Sequence, residues 1–290
     1  MELGLHISNF TFGGPNTELA PTLASVVRKA EDVGFAKVTV MDHLWQINQV
    51  GNKNMDMLEA YTTLGYLAAH TSKVELFTLV TGVTYRAPGL LAKAVTTLDV
   101  LSGGRAWLGV GAAWNEEEAI GLGLDFAPTA ERFARLEEAL QICQQMFSGE
   151  VAPYRGEQYQ LAETLNLPLP INRPRIMVGG SGEKKTLRLV AKYADACNLF
   201  GDAKTVAHKL TVLRDHCAAV GRDYDTILRT SSIHFDVGSD GEKSGQLLEN
   251  LRQLHDAGIQ VVHGSTPIAG DVAALDVIGR DIIPEISRWT

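Results

Sequence analysis

The chain alternates short apolar runs with longer stretches of helical periodicity. Eight runs are rich in β-branched and aliphatic residues and bounded by turn residues: Leu3–Ser8, Ala36–Met41, Val74–Val80, Ala106–Val110, Arg175–Val178, Asp195–Phe200, Ile227–Asp236 and Ile259–His263. Continuous apolar runs of this kind predict parallel strands buried on both faces. Between them, the stretch from Pro21 to Val33 puts Leu23, Val26, Val27 and Ala30 on one face, and Gly34 follows as a stop. Pro88 opens a helix carrying Leu91, Val95, Leu98 and Leu101, ended by Gly103-Gly104. Phe133, Leu136, Leu140, Cys143 and Phe147 step at helical spacing. Asp271 caps a last helix with Leu275, Ile278 and Ile282.

Eight strands alternating with helices predict an α/β fold, a (β/α)8 TIM barrel, over a single domain of residues 1–290. The competing open doubly wound sheet requires a glycine-rich turn after the first strand, where residues 8–13 read Ser-Asn-Phe-Thr-Phe-Gly. The gap between strands four and five spans about 65 residues and includes a Pro-, Gly- and Tyr-rich stretch, 149–173. It predicts a surface excursion with a small hairpin around Gly156.

Composition narrows the function classes. A net charge of −8 argues against a nucleic-acid partner. Three cysteines, Cys143, Cys197 and Cys217, show no metal-like spacing, and with no signal-like N-terminus they fit a reducing cytoplasm. No apolar run is long enough to span a membrane, so none is expected as a partner.

In such a barrel the chemistry sits at the C-terminal ends of the strands. Strand two ends in Asp42-His43-Leu44-Trp45, a carboxylate beside an imidazole. Histidine can donate a hydrogen bond or move a proton near neutral pH; the alternative is a loop cap and a packed ring. After strand one come His6, Ser8, Asn9, Phe10 and Phe12. A metal-dependent hydrolase needs a His-x-His pair there, and His6-Ile7-Ser8 does not supply it. His70, His208, His216 and His255 fall in helices as surface residues, and His234 and His263 are read as core. Strand four ends in Gly109-Val110-Gly111-Ala112-Ala113-Trp114-Asn115, small residues that tight packing alone explains but that also let a ligand approach. Strand five ends in Gly179-Gly180-Ser181-Gly182, with Lys184 and Lys185 in the next turn. Glycines before a helix start, with lysines that oppose the helix dipole, read as an anion cradle.

These pieces together resemble the bacterial luciferase-like monooxygenase superfamily, and within it the branch that uses coenzyme F420. The resemblance rests on Val40–Trp45, Leu79–Pro88, Leu98–Arg105 with Gly109-Val110-Gly111, and Val178–Gly182 with Thr186-Leu187-Arg188 and Ala194-Asp195. It implies a deazaflavin at the barrel mouth with Asp42 and His43 facing its reactive ring. It implies a bulge at Thr78, Leu79 and Thr81 with a non-proline cis peptide between Thr78 and Leu79. The strand-four loop, Ala112, Ala113, Trp114 and Asn115, would flank the ring, and Gly179, Gly180, Ser181 and Gly182 would hold the phosphate of the tail. The sugar-phosphate branch carries an acidic residue in the strand-four loop, where this chain has Ala113 and Trp114, so a phosphorylated sugar is disfavoured.

The implied reaction is hydride transfer between the deazaflavin C5 and a small, apolar organic substrate carrying an activated C=C, C=N or C=O bond. His43 is the proton donor, Asp42 fixes its orientation, and Phe10, Trp45 and Trp114 line the substrate pocket. Two alternatives remain: an FMN-dependent monooxygenase, and a non-catalytic protein that carries the cofactor. Family members are often dimers, so a homodimer is expected.

Overall fold

A computed structural model describes residues 1–289. Among the described residues there are eleven strands: β1 (Glu2–Ile7), β2 (Lys37–Val40), β3 (Glu75–Thr78), β4 (Thr81–Gly82), β5 (Trp107–Gly111), β6 (Tyr154–Arg155), β7 (Gln160–Leu161), β8 (Arg175–Gly179), β9 (Ala196–Leu199), β10 (Leu228–His234) and β11 (Val261–Ser265). Nine of them form one parallel sheet in the order β3-β2-β1-β11-β10-β9-β8-β5-β4. The two ends meet where Leu76 bridges Ala106 and its amide donates to the Arg105 carbonyl, so the sheet closes into a TIM-like barrel. The predicted third strand supplies two pieces, because its ladder is interrupted at residues 79–80. Parallel neighbours require crossovers. These are α1 (Asn16–Val33), α2 (Ala60–His70), α3 (Pro88–Ser102), α4 (Glu116–Gly121), α5 (Thr129–Ser148), α6 (Thr186–Tyr193), α7 (Ala203–Val220) and α8 (Ser244–Asp256). The chain ends in α9 (Val272–Val277), a π turn (Ile278–Ile282) and α10 (Ile283–Ile286).

The excursion of residues 149–173 carries the expected hairpin: β6 and β7 pair antiparallel around Gly156. α1 begins earlier than the sequence suggests, at Asn16, with Pro21 inside it. Gly34 ends it in the left-handed conformation, φ 105°, which permits its amide to reach back to the last carbonyls.

Strand periodicity divides the side chains between two cores. Leu3, Leu5, Ile7, Val38, Val40, Leu108, Val110, Ile176 and Val178 face outward and pack under the helices. Phe77, Trp107, Met177 and Ala196 face inward and form a plug, with Phe77 and Trp107 stacked at 5.2 Å. Above this plug the inward positions turn small or polar, which opens the C-terminal mouth.

Candidate active site

The mouth holds a cavity of about 680 Å³ lined by residues of β1, β4, β5, β8, β9, β10 and β11 and of the segments that follow β2 and β3. A larger hollow of about 820 Å³ lies at the opposite end of the barrel. Its acidic groups are held by Lys37, which lies 2.9 Å from Glu2 and 2.8 Å from Glu75. It also lies at the strand N-termini, the stability end of this architecture. The mouth is therefore the candidate site.

His43 reaches the mouth from the end of β2. Its Nδ1 lies 2.7 Å from Glu118 Oε2, and the Glu118 side chain is wholly buried. The same oxygen accepts the Tyr85 hydroxyl at 2.6 Å. The second carboxylate oxygen accepts the backbone N–H groups of Leu44 and Trp45. Burial raises the Glu118 pKa, but the His43 and Tyr85 hydrogen bonds and the Trp45 amide outweigh it and hold the carboxyl below its ordinary range. Nδ1–H is thus engaged, and Nε2 is the ring nitrogen left for the cavity. The Trp114 ring meets the imidazole edge-on at 5.3 Å.

Asp42 does not orient His43, contrary to the expectation. It turns to Arg86, which donates from Nη1 to Oδ2 and from Nη2 to Oδ1 at 3.0 Å, and Arg86 also pairs with Glu59. Consecutive residues leaving a strand point to opposite sides, so two adjacent side chains seldom reach each other. Burial raises the Asp42 pKa against the pull of Arg86. Glu118 takes the orienting role instead. It stands three residues after the helix-capping Asn115, the spacing of a capping box, and that spacing is the one local signal that could have picked it out.

The bulge after β3 is built by hydroxyls and glycines. Thr78 Oγ1 donates to the Gly109 carbonyl at 2.9 Å, so its lone pairs accept from Thr81 Oγ1, also at 2.9 Å. Thr81 in turn accepts from the Tyr61 hydroxyl. The cis peptide is Leu79–Val80, one bond later than the family pattern implied. Thr78 is still paired with Val40, and the Leu79 amide still donates to the Val40 carbonyl, so regular geometry persists through Leu79. Val80 then leans into the barrel. A Cβ on Gly179 would sit 2.8 Å from its methyls, one on Gly111 3.1 Å from them, and one on Gly109 1.9 Å from the Thr78 carbonyl oxygen. The glycines at the ends of β5 and β8 make room for this side chain.

Of the remaining expected site residues, Leu79, Thr81, Ala112, Ala113, Trp114, Gly179 and Gly180 line the mouth. Thr78 stands behind it, fully buried. Asn115 caps α4 and faces a neighbouring groove with Trp45, whose ring lies under the Lys53 ammonium. Trp45 is thus outside the pocket. Phe10 is also outside, fully buried in the outer core. Ser181 and Gly182 lie beside the mouth rather than in its lining. The Gly180 amide donates to the Asn198 carbonyl and the Ser181 hydroxyl accepts the Phe200 amide, so part of the glycine turn serves the fold. Lys185 rests over the Phe133 ring.

His6, His234 and His263, together with Asn198 and Ser232, also line the mouth. His234 stands exposed on the rim and not in the core. His263 is both buried and part of the lining. Burial lowers its pKa to about 3, helped by His6 and Lys37, and burial with the field of His234 lowers that of His6 to about 4. Both rings are neutral.

A family model described as luciferase-like monooxygenase matches residues 1–268. An uncharacterized protein of Mycobacterium tuberculosis is 30% identical over 217 residues, 70% of this chain and 76% of that protein. An F420-dependent glucose-6-phosphate dehydrogenase of Microbacterium testaceum is 33% identical over 225 residues, 74% of this chain and 65% of the relative. The coenzyme F420-dependent tetrahydromethanopterin reductase from Methanopyrus kandleri superposes with a TM-score of 0.78 at 16% identity, over 98% of both chains.

Proposed function

The chain belongs to the luciferase-like monooxygenase family, and on that premise we propose that it is an oxidoreductase using coenzyme F420 to exchange a hydride with a small organic substrate. The observation that carries this reading is the His43–Glu118 pair at the mouth, a proton-carrying imidazole held by a buried carboxylate. The residues present fit a flat tricyclic ring. The Leu79–Val80 segment offers an apolar wall, and Gly111, Gly179 and Gly180 line the mouth beside it without side chains. The F420-dependent relative supports the deazaflavin.

When bound, the deazaflavin supplies a two-electron hydride carrier. The chain supplies position and protons. Leu79, Val80, Gly179 and Gly180, which line one side of the mouth, would hold the ring. As the imidazolium, His43 would give its Nε2 proton to the substrate atom that gains negative charge and be left neutral with its hydrogen on Nδ1, or take the proton in the reverse direction. Glu118 keeps the ring in the tautomer with hydrogen on Nδ1. A phosphorylated sugar is not the proposed substrate. The lining guanidinium, Arg132, is engaged by the Ala112 and Ala127 carbonyls and the Thr129 hydroxyl.

Titrating cofactor-free protein with F420 and with FMN, followed by absorbance and fluorescence, tests the assignment. F420 is expected to bind at least about tenfold tighter, a difference of about 1.4 kcal/mol. Preferential FMN binding with substrate-dependent oxygen uptake would refute the deazaflavin and favour a monooxygenase. Tight F420 binding with no turnover across a broad panel would leave a carrier.

A further inference from the structure

The outer surface carries a patch whose polarity is inverted. In the excursion, residues 164–172 run beside α3 as an uncharged stretch, Thr-Leu-Asn-Leu-Pro-Leu-Pro-Ile-Asn. Its polar side chains turn inward. Asn166 is 2% exposed and donates from Nδ2 to the Thr96 hydroxyl at 2.9 Å and to the Met146 carbonyl at 3.0 Å. Thr164 is also buried; its hydroxyl accepts from the Gln145 amide and donates to the Ala152 carbonyl. Asp99 of α3 accepts the Ile171 and Asn172 backbone amides at 2.7 and 3.1 Å, and the Lys93 ammonium donates to the Leu167 carbonyl. The apolar side chains, Leu165, Leu167, Leu169 and Ile171, are left facing solvent. A segment held by this many hydrogen bonds does not expose its leucines through looseness.

The helix continues the same face. Leu90, Thr97 and Leu101 of α3 recur at steps of seven and four and form one ridge. Lys93, between them, reaches Leu167, and just past Leu101 a Cβ on Gly104 would stand 3.3 Å from Ile171. Two leucines of the helix and four aliphatic residues of the segment, 46% to 70% exposed, thus share one surface. Side chains this exposed present on the order of 600 Å² of apolar area, the upper end of what a lone soluble chain shows. A stable pair needs about 800 Å² from each partner, and Thr97, Pro168 and Pro170 within the patch bring it close to that size.

The charges at its ends point to the occupant. The uncharged stretch begins after Glu163 and stops before Arg173, and both are exposed. The strip is therefore acidic at one end and basic at the other. A two-fold axis across it lays two copies antiparallel and brings Glu163 of each beside Arg173 of the other. Arg173 already holds Asp195 at 2.6 Å, and its guanidinium has donors to spare. Such rim pairs add little affinity but fix orientation. An anionic membrane fits less well, because the chain carries a net charge of −8 and Lys93, the ammonium within the patch, is engaged by a carbonyl.

We propose that the face made by α3 and residues 164–172 is the contact between two copies of this chain, packed antiparallel about a two-fold axis. A patch that pairs with itself closes after two copies and leaves no apolar surface for a third. The assignment is independent of the redox reading, since none of the six aliphatic residues lines the mouth.

The test is sedimentation of the full chain between about 1 and 100 µM, where a dimer with a Kd near or below about 1 µM is expected. Leu101→Lys and Leu167→Glu should each weaken it at least about a hundredfold, because the axis puts each charge into the interface twice. Circular dichroism should be unchanged, since both side chains are exposed in the monomer. Leu90→Ser brings in no charge and should weaken the dimer about tenfold, which guards against a variant that simply fails to fold. The axis is read by oxidative cross-linking. After subunit exchange, Glu163→Cys protein mixed with Arg173→Cys protein should form an intersubunit disulfide that neither forms alone; the three native cysteines are buried. A wild-type monomer throughout that range overturns the proposal, as does a dimer that survives both charged variants. Self-linking of each cysteine variant without the mixed product overturns it too, because the strips then lie parallel. A monomer that binds phosphatidylcholine vesicles, and loses that binding in Leu101→Lys, would replace the second copy with a membrane.

Discussion

His263→Leu should make the protein less sensitive to acid. In the folded chain the imidazole is buried, lies edge-on to Phe77 at 5.6 Å, and has its pKa lowered from 6.5 to about 3. Between those two values the unfolded chain binds a proton at this position and the folded chain does not. Stability from this residue is therefore fully present above pH 6.5 and falls as pH drops, until the folded pKa is reached. The full slope is about 1.4 kcal/mol per pH unit, so lowering the pH from about 7.5 to about 4.5 removes ~3 kcal/mol on account of His263 alone. The assay is urea denaturation at both pH values for the wild type and His263→Leu. The packing cost or benefit of leucine is the same at both pH values and drops out of the difference. The loss of stability on acidification should be smaller by ~3 kcal/mol in the variant. Equal acid losses in the two proteins would mean that the ring protonates in place, and would refute its description as a buried neutral group.

Four further outcomes are expected. His43→Ala should lower turnover about 10²- to 10⁴-fold while cofactor binding by titration stays within about twofold, as for a lost general acid. Glu118→Gln keeps the shape but not the charge, so it should lower turnover without loss of cofactor binding. Because the Glu118 pKa is held down, its contribution to wild-type stability is present above the ordinary carboxylate range and lost as pH falls through the folded value; the variant's denaturation midpoint should lack that acid dependence. Arg86→Met strands the buried Asp42 carboxylate and should cost about 3–5 kcal/mol by chemical denaturation, partly recovered by Asp42→Asn in the same chain. Gly109→Ala should destabilise by at least about 1–3 kcal/mol through the clash with the Thr78 carbonyl, whereas Gly65→Ala, in the middle of α2 with open space around it, should stabilise by about 0.5–1 kcal/mol.

The barrel was legible because each strand announces itself locally: apolar runs such as Ala36–Met41 need no partner in view to be read as buried on both faces. The break at residues 79–80 was not legible in the apolar run itself, since Leu79 and Val80 continue it; the family resemblance put a bulge there, and only the ladder to Val40 shows that it begins one peptide later. His43 could be placed from its position after β2. Its true partner, Glu118, lies 75 residues away on a six-residue helix, and such a distant pairing leaves no periodic trace. Asp42 beside His43 suggested a dyad by adjacency, and backbone alternation sent the two side chains apart. Phe10 looked like a pocket residue because it follows a strand end, yet burial of its ring against the outer core won. Gly109, Gly111 and Gly179 were recognisable as a place of close approach, but the approaching group is Val80 as well as any ligand.

Glu118 ties the exits of β2 and β5 together, and the loop from Gly111 to α4 that delivers it also carries Trp114 on the rim. The breadth of the entrance and the alignment of the proton carrier are therefore mechanically coupled. Remodelling that loop to admit bulkier molecules would slacken the tether on His43 at the same time. Directed changes of selectivity should start from the far wall, at Ser232 or Ile233, where the backbone can be altered without disturbing acid–base geometry.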